Sequence, residues 1–168
     1  EYNVKLMEVL TGFKYIGEQI KFFEQNHSYN FVVGMEESYG CLVGTYARDK
    51  DAPVAVMCLC EVAAYCKSRG ITLWDYMLDL YEKYGYYKEG LYTITLKGVT
   101  GADKIRKIMS ELRRNPLKEI DGRKVVRTRD YEKNVIIDHA TGEATESGLP
   151  RSNVLYYELE GDAWAGVR

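Results

Sequence analysis

The hydrophobic period of this chain changes between Gly85 and Gly90, and that change limits the folds open to it more than any single motif. Ahead of it, long runs with helical spacing alternate with short, continuous apolar stretches. Behind it, one strand-like run and one helical run give way to short alternating segments bounded by Gly, Asp and Asn. Strands that alternate with helices build α/β layers, whereas strands that follow one another build antiparallel sheets. The expectation is an α/β domain over residues 1–86 and an α+β domain over residues 87–168.

In the first portion, Val4 to Val9 reads as a short strand, and Thr11-Gly12 turns the chain into a helix carrying Phe13, Ile16, Ile20 and Phe23 on one face. The polar cluster Glu24 to Ser28 ends that helix. Phe31-Val32-Val33 is a continuous apolar run of the kind buried on both faces of a sheet. A long apolar helix to about Arg69 follows, with an aspartate as its cap, Pro53 tolerated in its first turn, and Lys67 and Arg69 complementing its C-terminus before Gly70. Thr72 and Asp75 predict a capping box for a further helix with Leu73, Met77, Leu80, Tyr81 and Tyr84 on one face, stopped by Gly85.

In the second portion, Leu91 to Leu96 predicts a strand, and Thr100 caps a helix with Ile105, Ile108, Met109 and Leu112 inside, ended at Asn115-Pro116. Asp121-Gly122 turns into the alternating Val125 to Arg129, and Val135-Ile136-Ile137 follows. Val154 to Leu159 pairs with Ala163 to Val167 across Glu160-Gly161-Asp162.

Composition excludes several roles. An apolar share of 46% suffices for a core, and no run approaches the roughly 20 apolar residues that a membrane span needs. No secretory signal is read at the start, so the expected compartment is the cytoplasm, with no membrane partner. The net charge is −2 and acids alternate with bases, so no nucleic-acid partner is implied. Cys41, Cys58, Cys60 and Cys66 have no zinc-ligand spacing, and only His27 and His139 could join them. They read as reduced cysteines packed as small hydrophobes, and no metal site is expected in this chain.

Chemistry concentrates in Gly34-Met35-Glu36-Glu37-Ser38-Tyr39-Gly40, a polar, glycine-bounded loop that leaves the Phe31 to Val33 run. Carboxylate oxygens accept from neighbouring hydroxyls and a serine hydroxyl donates or accepts, so these residues suit a neutral polyhydroxy ligand. In open α/β sheets ligands gather at such loops, beyond the carboxyl ends of buried strands. The loop binds; it does not by itself catalyse. Taken without further context, solvated loop charge is the plainer account of Glu36-Glu37.

Three segments in order resemble the phosphohexomutase superfamily, in its phosphoglucomutase branch. They are Leu10-Thr11-Gly12-Phe13-Lys14-Tyr15-Ile16-Gly17, the Gly34 to Gly40 loop, and Arg48-Asp49-Lys50-Asp51-Ala52. The resemblance covers nearly the whole chain. It implies that residues 1–86 are the family's sugar-recognition domain III, a three-layer α/β/α domain with a mixed sheet, short of a strand and helix that relatives place before Val4. It implies that residues 87–168 are a truncated domain IV, an incomplete α+β domain with an antiparallel sheet.

By that likeness Glu36 and Ser38 grip sugar-ring hydroxyls, while Gly34, Glu37, Tyr39 and Gly40 shape the loop. Lys50 stands at the active site in a supporting role toward the phosphosugar, as a candidate acid or base, and Arg48 is a further substrate-binding candidate. The parent would be an intramolecular phosphotransferase that interconverts hexose 1-phosphate and 6-phosphate through a bisphosphate intermediate, using Mg2+ and hexose 1,6-bisphosphate. Its partners would be the phosphosugar and the parent's remaining domains.

The chain contains neither the phosphoserine motif Thr-Ala-Ser-His-Asn-Pro nor the metal-holding run Asp-Gly-Asp-x-Asp-Arg, and it ends before a Pro-Ser-Gly-Thr loop. The expectation is a fragment that binds no cofactor and has no mutase activity alone. Tyr39-Gly40 stands where mannose and glucosamine relatives have Gly-His, and Phe13, which cannot act as an acid or base, stands where mannose-specific relatives have a histidine. The first favours glucose phosphate and leaves a pentose phosphate open. The alternatives are a phosphomannomutase or phosphopentomutase fragment, or a non-catalytic sugar-phosphate-binding module. Lys50 also reads as a surface residue in the first turn of a helix, where the dipole disfavours a cation. Lys104, Arg106, Lys107, Arg113 and Arg114 read as the solvated face of an amphipathic helix rather than a phosphate patch.

Overall fold

Helices and antiparallel strands make up the computed structural model, which describes residues 3–36 and 40–168. It divides into two units, Glu1–Leu91 and Tyr92–Arg168. In the first unit α1 (Phe13–Asn26) is followed by β1 (Val33–Glu36), β2 (Gly40–Val43), α2 (Ala52–Ser68) and α3 (Leu73–Tyr84).

Helix α1 buries the face that its spacing predicts, Phe13, Ile16, Ile20 and Phe23, together with Gly17. Phe13, Ile16 and Ile20 form a core with Leu42 of β2, backed by Val9, Phe31 and Ala47. Strands β1 and β2 are an antiparallel hairpin in a register running from Val33 opposite Val43 to Glu36 opposite Gly40. The unit is of the α/β class, as expected, and among the described residues its sheet layer consists of this hairpin.

Two expected strands do not form as read. Val4 to Val9 is irregular, because among the described residues no segment offers it a ladder, and Val4 and Leu6 stay exposed. The Phe31 to Val33 run is not buried on both faces: Val32 is 55% exposed, since a two-stranded ribbon with α1 behind it has one covered side.

At α2, Asp51 occupies the N-cap with extended backbone, yet its carboxylate caps nothing, because it accepts from the Tyr46 hydroxyl instead. Pro53 lies in the first turn, as expected. The helix is apolar almost all round, but Cys66 is its buried side chain, and Val56, Met57 and Leu59 are exposed. Packing as a small hydrophobe thus fits Cys66 and not Cys60, which is exposed. The capping box of α3 forms: Thr72 Oγ1 accepts from the Asp75 N–H at 3.1 Å, and Asp75 Oδ2 accepts from the Thr72 N–H at 2.8 Å.

Leu91 to Leu96, which runs from the last residue of the first unit into the second, is not a strand. The segment is irregular, with Tyr92 95% exposed, because its alternating residues have no partner strand among the described residues. Helix α4 (Gly98–Arg114) starts ahead of Thr100, with Lys97 at the N-cap, the turn being made by Gly98 at φ 76°. It ends at Asn115, before Pro116. Then come β3 (Glu119–Ile120), β4 (Arg123–Asp130), β5 (Val135–Asp138), β6 (Ala144–Thr145), β7 (Leu155–Leu159) and β8 (Trp164–Val167). The sheet order is β6-β5-β4-β7-β8, with β3 on β4, all antiparallel.

The β4–β7 register shifts between Val125 and Arg127. That irregularity moves the buried positions from Val125 to Thr128 and Asp130, and so turns Arg127 and Arg129 toward Glu158. Met109 of α4 joins Val125, Leu155, Tyr157 and Leu159 in the core. Arg113 departs from the expected solvated face. Its side chain is 10% exposed and bridges Asp130 at 3.1 Å and Glu132 at 2.6 Å.

Candidate functional site

The register of the hairpin sets Glu36, the last residue of β1, opposite Gly40, the first of β2. Glu36, expected in a loop with Gly34 and Gly40, is a strand residue as they are, and its side chain is only 6% exposed. Lys50 Nζ donates to Glu36 Oε1 from a side chain 43% exposed. A buried carboxylate beside a half-exposed ammonium offers acceptors for hydroxyls and a cation for phosphate oxygens at one place. Gly34 seats β1 against α1, since a β-carbon there would stand 2.6 Å from Ile16 Cγ2.

Lys50 is delivered by the connection between β2 and α2, which is tied down along its length. The Asp51 N–H donates to the Cys41 carbonyl at 2.9 Å, and the Lys50 N–H donates to Asp49 Oδ1 at 2.8 Å. Arg48 Nη2 donates to both carboxylate oxygens of Glu24 on α1 at 2.6 Å, while its Nη1 donates to the carbonyls of Thr45 at 2.5 Å and Ala47 at 3.0 Å. The Arg48 carbonyl lies against Gly17 of the same helix, 2.8 Å from where a β-carbon would be. Arg48 therefore anchors the connection to α1. Close by, the Tyr46 hydroxyl is pushed up to about 12 by its hydrogen bond to Asp51.

Glu36 also lines a cleft of about 410 Å³ together with Leu10, Thr11, Gly12, Ile16, Met35 and Glu89. Sequence reasoning places Glu36, Gly40 and Lys50 at the site, and the structure brings these three together. Arg48, expected to bind substrate, is turned to Glu24. Glu37, Ser38 and Tyr39, expected in the loop, lie outside the described residues. Thr11, Gly12 and Glu89 were missed as lining residues. The first two stand in the Leu10 to Gly17 segment, whose resemblance to the family assigns them no role; Glu89 sits in a stretch with no pattern to single it out. Phe13 is a core residue of α1.

Among the described residues no group of three or more His, Cys, Asp and Glu stands together as a metal site. No helix among them is long and apolar enough to cross a membrane.

Residues 1–84 match the family described as phosphoglucomutase/phosphomannomutase, alpha/beta/alpha domain III. The chain is 36% identical over 154 residues to a phosphoglucomutase of Staphylococcus epidermidis (strain ATCC 35984), an alignment covering 92% of this chain and 28% of that protein. It is likewise 36% identical over 153 residues to a phosphoglucomutase of Staphylococcus aureus (strain MRSA252), covering 91% of this chain and 27% of that protein. The chain thus spans less than a third of the length of the curated relatives it matches. No solved structure matches it. With the family's domain III extending over residues 1–84 and Glu36 and Lys50 meeting within it, the chain belongs to the phosphoglucomutase/phosphomannomutase family.

Proposed function

We propose that this chain supplies the sugar-hydroxyl recognition site of a phosphoglucomutase-type enzyme, an intramolecular phosphotransferase that interconverts hexose 1-phosphate and 6-phosphate through a bisphosphate. The observation that carries this is the Glu36 carboxylate, buried, paired with Lys50 and facing a cleft that Thr11 and Gly12 also line. A carboxylate held in place accepts hydrogen bonds from hydroxyls without having to be reorganised, and an ammonium beside it attracts the phosphate end of the same ligand. Hydroxyl recognition of this kind suits a reaction whose intermediate has to be bound in two orientations.

In this proposal Ser38 shares the hydroxyls with Glu36, while Gly34, Glu37, Tyr39 and Gly40 shape the connection. Lys50 lies toward the phosphosugar as a supporting acid or base, and Arg48 holds the segment that delivers it. The 1–86 and 87–168 division is the domain scheme we adopt. Glucose phosphate is the favoured substrate and the cytoplasm the favoured compartment, with the enzyme's other domains as partners. Magnesium, when bound by the whole enzyme, would neutralise charge on the transferring phosphoryl group. The described residues do not fit a metal site, so none is assigned to it, and the bisphosphate is likewise assigned to the whole enzyme.

The test is Glu36→Ala in a whole enzyme carrying this segment. Turnover of glucose 1-phosphate should fall by about 10- to 100-fold, the cost of losing hydrogen bonds to a charged group. Phosphorylation of the enzyme's serine by the bisphosphate should fall less. Equal losses in both steps would count against sugar reading by Glu36.

A further inference from the structure

The reason position 40 is a glycine is visible in the path of Lys50. Gly40 is a ladder residue of β2, paired with Glu36, and strand backbone suits any ordinary side chain. Space sets the requirement instead. A β-carbon on Gly40 would stand 2.8 Å from Lys50 Cβ and 3.0 Å from Lys50 Cγ, with Lys50 Cδ nearer still. The aliphatic stem of Lys50 thus lies on the bare α-carbon of Gly40, and its ammonium comes down on the residue across the ladder, Glu36. A glycine inside a strand commonly marks such an approach.

We propose that Gly40 is a positioning residue: lacking a side chain, it lets Lys50 cross the start of β2 and reach Glu36. Its meaning for sugar phosphate binding rests on the function proposed above; the geometry does not. Any side chain at position 40 lifts the Lys50 stem, and the ammonium leaves Glu36. The backbone tie between Asp51 and Cys41 holds the start of α2 against β2, so the stem cannot escape by moving the whole connection. Gly90 provides a matched control, because a β-carbon there meets nothing within 4 Å.

The experiment uses the 168-residue chain. Acylation of the Lys50 amine is followed by mass spectrometry, with Lys88 as internal reference, in the parent chain and in Gly40→Ala, Gly90→Ala and Glu36→Gln. Release from the carboxylate should raise the relative rate at Lys50 by about two- to fivefold in Gly40→Ala and in Glu36→Gln, the span expected for a half-exposed ion pair. Gly90→Ala should leave it unchanged. An unchanged Lys50 rate in folded Gly40→Ala overturns the proposal. Should Gly40→Ala be poorly folded, its loss of thermal stability is compared in the parent and in a Lys50→Gly background. Removing the Lys50 side chain should abolish most of that loss, and equal losses in both backgrounds overturn the proposal. Glucose 1-phosphate binding is measured alongside. If the Lys50 response appears in a chain that binds no sugar phosphate, Gly40 still positions Lys50 and the proposed function falls.

Discussion

The hairpin that carries Glu36 and the sheet of the second unit are both antiparallel, yet different things hold them. In the sheet, β4 lies between β5 and β7, with Met109, Val125, Leu155, Tyr157 and Leu159 as core. On the other side Arg127 joins Glu158 at 3.1 Å and Asp138 at 3.2 Å, and Tyr156 stacks on Trp164. The hairpin has α1 behind it through Ile16, Ile20 and Leu42, while Val33 and Met35 are exposed. A large share of α2 is exposed too. The residues proposed to read the ligand therefore sit where packing is thin, and their geometry depends on a few named links, Arg48 to Glu24 and Lys50 to Glu36 among them.

The two tryptophans allow that contrast to be attacked, since Trp74 lies in the first unit and Trp164 in the second. The largest effect is expected from Asp130→Ala, which leaves the nearly buried Arg113 with Glu132 and Asn153 and without its inner carboxylate. Urea unfolding followed at Trp164 should lose about 3 kcal/mol, the lower end for breaking a buried pair. A loss below about 1 kcal/mol would show that the sheet does not depend on this network. Ile20→Ala, at a side chain with 0% exposure, should cost about 2–4 kcal/mol in the Trp74 transition and leave the Trp164 transition in place. A single merged transition would break the contrast between the units.

Thr72→Ala should cost the first unit about 1 kcal/mol, the usual worth of an N-cap. The same variant has a pH signature. Hydrogen bonds from the Thr72 side chain and backbone hold the Asp75 carboxyl below the ordinary carboxylate range. Their stabilisation is present above that range and is lost as pH falls through the lowered value, so Thr72→Ala should flatten the acid limb of a Trp74 melting profile. The smallest effect belongs to Tyr46, pushed up to about 12 by Asp51. Its stabilisation is complete below about pH 10, where a free tyrosine titrates, and disappears as pH rises toward about 12. Thermal melts of Tyr46→Phe should lack that alkaline loss.

Helices were legible because their signals are local: Phe13, Ile16, Ile20 and Phe23 recur at helical spacing, and Thr72 with Asp75 is a complete capping box. The hairpin across Glu160-Gly161-Asp162 was equally plain, with Leu155 to Glu158 paired to Trp164 to Val167, and Asp121-Gly122 makes the expected turn with both φ angles positive. What failed was strand pairing. Val4 to Val9 and Leu91 to Leu96 carry strand-like residues, but a strand exists only by virtue of a neighbour, and composition does not say whether one is there. Arg113 was misplaced because spacing puts it on α4 without revealing that Asp130 waits beneath it. At the site, Glu36 and Lys50 were named from their segments, whereas the closure of the Lys50 stem over Gly40 depends on register and could not be read in advance.

The most direct test of sugar reading by the first unit is a titration of the isotopically labelled chain with glucose 1-phosphate, followed by amide chemical shifts. Weak binding is expected, because the proposed site would hold one side of the ligand, with shifts concentrated at Thr11, Gly12, Glu36, Gly40 and Lys50, and with β4 to β8 silent. Those shifts should vanish in Glu36→Ala. Shifts confined to the second unit, or persisting unchanged in Glu36→Ala, would contradict the account.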